Sequence, residues 1–340
     1  MSDQKKKSNL LLGILPCLVI GIAAWLMAQY IPTYGKLIGG PVFAIVLGMI
    51  FAFVKRPATM DAGITFCGKK ILQYSIIFIG FGMNIATVVK TGGQSLAVML
   101  CTIAVSLLTA FFVGKLLRVP SNTATLIGVG TSICGGSAIA ATAPVIDADD
   151  REVAYSISTI FLFNILAVFI FPALGHGLGM SDTGFGIWAG TAINDTSSVV
   201  AAGFAFSDTA GELATIVKLT RTLMIIPITL VLAFWRTHKI RSQGGEAASE
   251  YSLKKIFPWF VLGFLLTAII NSTGILPEQA SSWLNDLGKF GIMVAMAGIG
   301  LNTNIKSLFK NGLRPIVLGL CCWFMVAVVS LGVQHLVGLI

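Results

Sequence analysis

Charge is what this chain has least of. Only 11% of its 340 residues are Asp, Glu, Lys or Arg, where a soluble domain carries about a quarter. With 56% hydrophobic residues, in runs too long and too many for an aqueous core, that shortage excludes a water-soluble protein of one or two domains. Acids are scarcer than bases, 14 against 23, which leaves a formal net charge of +9. The bases form no stripe interleaved with aromatics, so nucleic-acid binding is excluded too. They gather between apolar runs, at Lys5-Lys6-Lys7, Lys55-Arg56, Lys69-Lys70, Lys115 and Arg118, Arg236 to Arg241 and Lys254-Lys255. That is the pattern of basic cytoplasmic loops in a polytopic membrane protein.

Histidine is rarer still. His176, His238 and His335 lie far apart and show no metal-ligand spacing. The six cysteines, at 17, 67, 101, 134, 321 and 322, include no CxxC pair, so no metal or cofactor is expected. Buried free thiols are the simplest reading, with Cys134 set apart because it falls in a glycine-rich stretch. No small-x-small cleavage site follows the apolar run from Leu10, which is therefore expected to be the first span.

Windows of about 20 apolar residues suffice to cross a bilayer. They fall near 10–30, 37–54, 66–84, 93–114, 122–146, 152–172, 182–206, 210–235, 255–272, 285–302 and 312–338. This predicts an all-α membrane protein of about eleven transmembrane helices. Residues 1–340 form a single polytopic domain, with a mobile cytoplasmic linker at about 236–254. Placing Lys5-Lys6-Lys7 in the cytoplasm puts the loops at 55–63, 115–121, 236–254 and 303–311 there too. The loops at 147–151 and 207–212, and the C-terminus, are then expected outside.

Two of these windows carry clusters of small and hydroxyl residues. One is GVGTSICGGSAIAATAPV, Gly128–Val145; the other is GTAINDTSSVVAAG, Gly190–Gly203. In hydrocarbon an unpaired backbone group costs several kcal/mol, so such a cluster marks a helix break that lines protein, water or ligand. Broken helices of this kind form the substrate sites of many transporters. Close helix packing through small residues is the plainer alternative. A shorter echo, GFGMN at Gly80–Asn84 and GIGLN at Gly298–Asn302, closes two spans that run in opposite directions, as an inverted repeat requires. Asn84 and Asn302 read mainly as helix-end residues.

Few charges lie inside the spans. Asp195 sits in the second cluster; Lys218 and Arg221 follow in TIVKLTRTLMIIPITL, three residues apart and so on one helix face. An intramembrane carboxylate must pair, bind a cation or titrate. A structural ion pair is one account of the three. The other is that one carboxylate cannot neutralise two cations, leaving positive charge beside helix breaks whose N-termini present free N–H groups. Arg offers a planar fork for an oxyanion and Lys a point charge. The expected binding residues are Thr131, Ser132, Cys134, Gly135, Gly136, Ser137, Asn194, Asp195, Thr196, Ser197, Lys218 and Arg221, with the Ser198 hydroxyl nearby. Gly135-Gly136-Ser137 could hold a serine nucleophile, but no base partners it, so an enzyme is not expected.

Taken in order, SICGGSAIAATAPV, GTxxxDxxxVVAAG and KLTRTLMIIP resemble the sulfate exporter family of YeiH-type bacterial membrane proteins, over nearly the whole chain. The resemblance implies the fold of the cation–proton antiporter and anion transporter superfamily, an inverted repeat with discontinuous helices. It marks Ser132, Cys134, Gly135, Asp195, Lys218 and Arg221. Asn194 stands where the family pattern has a histidine before the acid, which leaves any proton coupling to Asp195.

The reading is a secondary transporter of the bacterial inner membrane that exports a small inorganic or organosulfur oxyanion, sulfate or sulfite, by alternating access. H+ or Na+ is the coupling ion to test, and a homodimer is compatible with the fold. The rivals are a cation/proton antiporter built on Asp195, and a channel or non-transporting scaffold.

Overall fold

The computed structural model describes residues 2–30, 39–224, 227–228, 231, 259–303 and 313–340. The expected linker at 236–254, and parts of the spans 210–235 and 255–272, lie outside these residues. Every regular element among them is helical: α1 (Ser2–Tyr30), α2 (Gly40–Phe51), α3 (Ala58–Gly82), α4 (Ile85–Leu116), α5 (Ser121–Ser132), α6 (Gly136–Ile146), α7 (Asp150–Gly177), α8 (Asp182–Ala192), α9 (Thr196–Phe206), α10 (Asp208–Thr222), α11 (Trp259–Ser272), α12 (Glu278–Asn302) and α13 (Leu313–Val337). Within α3 the helix tightens at each end and widens to a π-turn over Cys67–Ile71. Six helices are long and apolar enough to cross a membrane, namely α1 from Leu10, α3, α4, α7, α12 and α13.

The helices sort into two bundles. In the first, α12 packs on α1, α2 and α3, and α11 packs on α3. Glycine makes this approach close. A Cβ built at Gly300 would lie 2.9 Å from the Gly48 Cα, and one at Gly13 would lie 2.6 Å from the Gly63 Cα. The two GxGxN copies close α3 and α12, which run antiparallel: Gly68 meets Ile299, whereas Gly82 meets Asn285. The second bundle holds α4 to α10 and α13. Here α4 and α13 are also antiparallel, with Gly114 near Leu318 and Val98 clustered with Val333.

The two glycine-rich segments do not cross as expected. Each is a hairpin of two half-helices, 11 or 12 residues long, or about 17 Å at 1.5 Å per residue, half of the roughly 30 Å apolar core. The first hairpin returns to where it began. Asn122, at the start of α5, donates to the Glu152 Oε2 at 3.0 Å, and Ser156 donates to the Thr123 carbonyl at 3.4 Å, both from the start of α7. The second does the same from the other end. The Ser207 hydroxyl, just after α9, donates to the Asp182 Oδ1 at the start of α8, 2.7 Å away. Because α7 runs between the two ends, the hairpins enter from opposite sides and meet tip to tip.

This geometry corrects two expectations. Segments 122–146 and 182–206 do not each cross, so the count of about eleven spans is not reproduced. Segment 147–151 lies at the same end as 117–120, not opposite it. Its Asp149 serves the helix start, forming a capping box on α7 with Glu152. The reciprocal bonds satisfy helix-start N–H groups that would otherwise be orphaned. Segment 207–212 lies at the far end, where α13 also finishes beside Gly184.

Candidate functional site

The site is the place where the two tips meet. The first break spans Ile133–Gly135. There Gly135 adopts φ 69°, ψ −126°, a left-handed backbone that only glycine takes without cost. The second break spans Ile193–Asp195. The Asp195 carboxylate caps α9 by accepting from the Ser197 N–H at 3.0 Å and from the Ser197 hydroxyl. Asn164, from the middle of α7, holds the second break: its Oδ1 accepts from the Asp195 N–H at 3.2 Å. A Cβ built on Gly135 would lie 3.5 Å from the Asp195 Cβ and 3.6 Å from the Asn164 Nδ2, so the tips abut.

Helix α10 packs against both arms of the second hairpin and reaches the first through Lys218 and Arg221, both fully buried between the tips. Lys218 Nζ donates to the Ile133 carbonyl at 2.7 Å and to the Ile193 carbonyl at 3.0 Å. Arg221 donates through Nε to Ser132 at 2.8 Å, through Nη2 to Thr131 at 2.8 Å, and through Nη1 to Thr191. Each cation therefore ties one tip to the other through backbone oxygens. These are the carbonyls that end α5 and α8, which lack helical partners and carry the negative end of the helix dipole. In hydrocarbon a broken helix needs such a donor.

The expected oxyanion ligands Lys218 and Arg221 are thus occupied by the tips themselves. Among the described residues their hydrogen bonds go to helix ends, and neither forms an ion pair with a carboxylate. Charge is a separate matter from hydrogen bonding. Helix ends carry about half an elementary charge each. The two C-terminal ends offset one of the two cations, and the N-terminal ends of α6 and α9 offset Asp195. About one positive charge remains at the tips.

The other expected residues divide by what they touch. Ser132 returns its hydroxyl to the Val129 carbonyl at 3.0 Å. The Thr131 hydroxyl and both amide atoms of Asn194 are buried without a hydrogen-bond partner among the described residues. Cys134 is a buried free thiol, and Thr196 and Ser197 are nearly buried. Ser137 is exposed and Gly136 half-buried. Among the described residues no side chain caps the α6 N-terminus, and a Cβ on Gly136 would meet none of their heavy atoms within 4 Å. The sequence reading missed Asn164, an amide inside FLFNILAVF whose polarity was its only signal. It also missed Ser330 and Gln334 of α13, which back the second tip through a 2.7 Å hydroxyl contact between Thr191 and Ser330.

No group of three or more His, Cys, Asp or Glu side chains able to hold a metal occurs among the described residues.

Residues 12–319 match the family model described as Conserved hypothetical protein 698. The chain is 46% identical to a UPF0324 membrane protein of Fusobacterium nucleatum, over 98% of this chain and 99% of that one. It is 50% identical to a UPF0324 membrane protein of Streptococcus mutans over the same shares, and 47% identical to one of Streptococcus pneumoniae over 96% and 97%. These relatives are named as membrane proteins, and their names make no mention of sulfate.

Proposed function

Since the chain belongs to the UPF0324 membrane protein family and is a multi-pass helical membrane protein, we propose that it is a secondary transporter for a small oxyanion. One observation carries the reading: two half-length hairpins enter from opposite ends and meet, tip to tip, in the middle of the molecule. A chain that needed only to span the bilayer would keep these helices whole, because each break exposes backbone groups that must be satisfied at membrane depth. Two opposed breaks give one central site reachable in turn from either side, which is what alternating access requires.

The residual positive charge at the tips favours an anion. The α6 N-terminus is the part of the site open to it. Among the described residues its N–H groups have no capping side chain, and anions bind readily at such ends. In this reading the Gly136 and Ser137 N–H groups and the Ser137 hydroxyl hold the oxyanion. Lys218 and Arg221 fix the tips and supply the field from behind. Asp195 lies beside Gly135 and would repel a bound anion while ionised, so a proton taken up there couples to anion binding. The substrate class is sulfate, sulfite or a related organosulfur anion, and the direction is export.

Asp195 also supports a second reading, a cation/proton antiporter, because it is the one carboxylate at the tips and is not fully buried. Flux separates the two. Purified protein in proteoliposomes is expected to show saturable sulfate or sulfite flux in sodium-free buffer. Sodium-dependent proton flux with no anion dependence would replace the anion reading with the antiporter. Flux that never saturates would point to a channel, and none of any kind to a scaffold.

A further inference from the structure

The two bundles carry a polar clasp at the far end that the tip site does not use. Asn285 and Lys289 lie four residues apart on one face of α12; Asp208 and Glu212 lie four apart on α10. Lys289 Nζ stands 2.9 Å from the Asp208 Oδ2 and 4.0 Å from the Glu212 Oε1. Asn285 Nδ2 donates to the Glu212 Oε1 at 3.3 Å. The same Lys289 ammonium lies over the Phe204 ring of α9, 5.9 Å from its centroid. One side chain of the first bundle thus holds both the outgoing arm of the second hairpin and the helix that bears Lys218 and Arg221. Among the described residues, these are the ion pairs that join the two bundles.

We infer that Lys289, with Asp208 and Glu212, is a latch that holds the far end closed and must release before the tips meet solvent on that side; this rests on the transport reading above. The tips are tied to each other through five buried carbonyls, so neither hairpin opens alone. The cheaper motion is of the tied unit against α12, and that motion stretches the Lys289 contacts first. Their placement suits a device that opens and shuts repeatedly. Asp208 is 72% exposed, and exposed pairs of this kind shift an equilibrium by up to about fivefold rather than by thousands.

Cys134 provides a native reporter, being buried at the first tip. In a variant that keeps Cys134 as its single cysteine, a membrane-impermeant maleimide is applied to the far-end side in proteoliposomes. Lys289→Gln is expected to raise the labelling rate of Cys134 up to about fivefold, and Lys289→Asp combined with Asp208→Lys to return it toward the parent rate. An unchanged rate in Lys289→Gln, or a charge-swapped pair that labels no more slowly than the single variant, overturns the latch. Labelling needs no substrate, so it is scored apart from flux. Faster labelling without any anion flux supports the latch and counts against the anion reading. Anion flux with unchanged labelling removes the latch alone.

Discussion

Gly136→Ala separates a glycine kept for structure from one kept for a ligand. Most glycines in this chain have a packing reason: a Cβ at Gly190 would lie 2.6 Å from the Val217 Cβ, and one at Gly48 2.6 Å from the Ala297 carbonyl. Gly136 has none. Its backbone is not left-handed, and a Cβ there meets no heavy atom within 4 Å. Alanine at that place should stabilise the fold by about 0.5–1 kcal/mol, since it lowers the entropy of the unfolded chain and favours the helix. The same methyl would stand over the uncapped N-terminus of α6, where the oxyanion is placed. Losing one charge-assisted hydrogen bond costs roughly 1.5–3 kcal/mol, or about ten- to a hundredfold in affinity. The expected result is opposite signs: thermal stability in detergent equal or higher, with the half-saturating sulfate or sulfite concentration raised at least tenfold. Equal stability together with unchanged flux would refute the reasoning, because the glycine would then have neither a packing nor a ligand role.

Arg221→Leu strips donors from three buried carbonyls on two helix ends. It should destabilise the protein by roughly 3–5 kcal/mol, read as a large fall in melting temperature; wild-type stability would mean the tips do not need the tie. Lys218→Met loses two such bonds and should fall by a smaller amount in the same assay. Asp195→Asn keeps a good cap for α9, so stability should change by only a few tenths of a kcal/mol, while the pH dependence of anion flux should disappear. A pH profile that survives the change would move coupling away from Asp195. Gly190→Ala pushes α8 from α10 at the contact with Val217. It should cost about 1–3 kcal/mol by overpacking, seen as a lower melting temperature and slower flux.

Much of the site was legible in the sequence, because breaking a helix in hydrocarbon demands unusual residues. Gly135 had to be glycine for its positive φ, and Asp195 had to be a capping residue, so both breaks announced themselves. The course of the chain between them was less visible. A hydropathy window over 122–146 cannot tell one crossing helix from two half-length arms, since both are about 25 apolar residues long. The information lies in pairs far apart in the chain, Asn122 with Glu152 and Ser207 with Asp182. Those contacts also explain why the acids of 147–151 misled the placement of that loop. Asp149 and Glu152 cap a helix, and loop acids contribute little to orientation in any case.

Lys218 and Arg221 show why charge counting needs geometry. Their spacing predicts a shared helix face, and both reach the same two tips from α10; two cations set against one carboxylate is a count that sequence alone can make. Their actual acceptors are backbone oxygens, which every residue owns and no side-chain pattern reveals. The two helix ends, pointing at each other across the middle of the molecule, therefore stand in for the carboxylates that would otherwise partner these cations. Without them the like-charged C-terminal ends of α5 and α8 would repel. With them, both hairpins are bound to α10 and to each other. A site assembled this way keeps the α6 N-terminus free while its C-terminal ends are neutralised, so the field left at the tips is positive without Lys218 or Arg221 being exposed to solvent. In the proposed reading an anion is then held by backbone N–H groups and released again. A directly exposed arginine would have gripped it more tightly, at the expense of turnover.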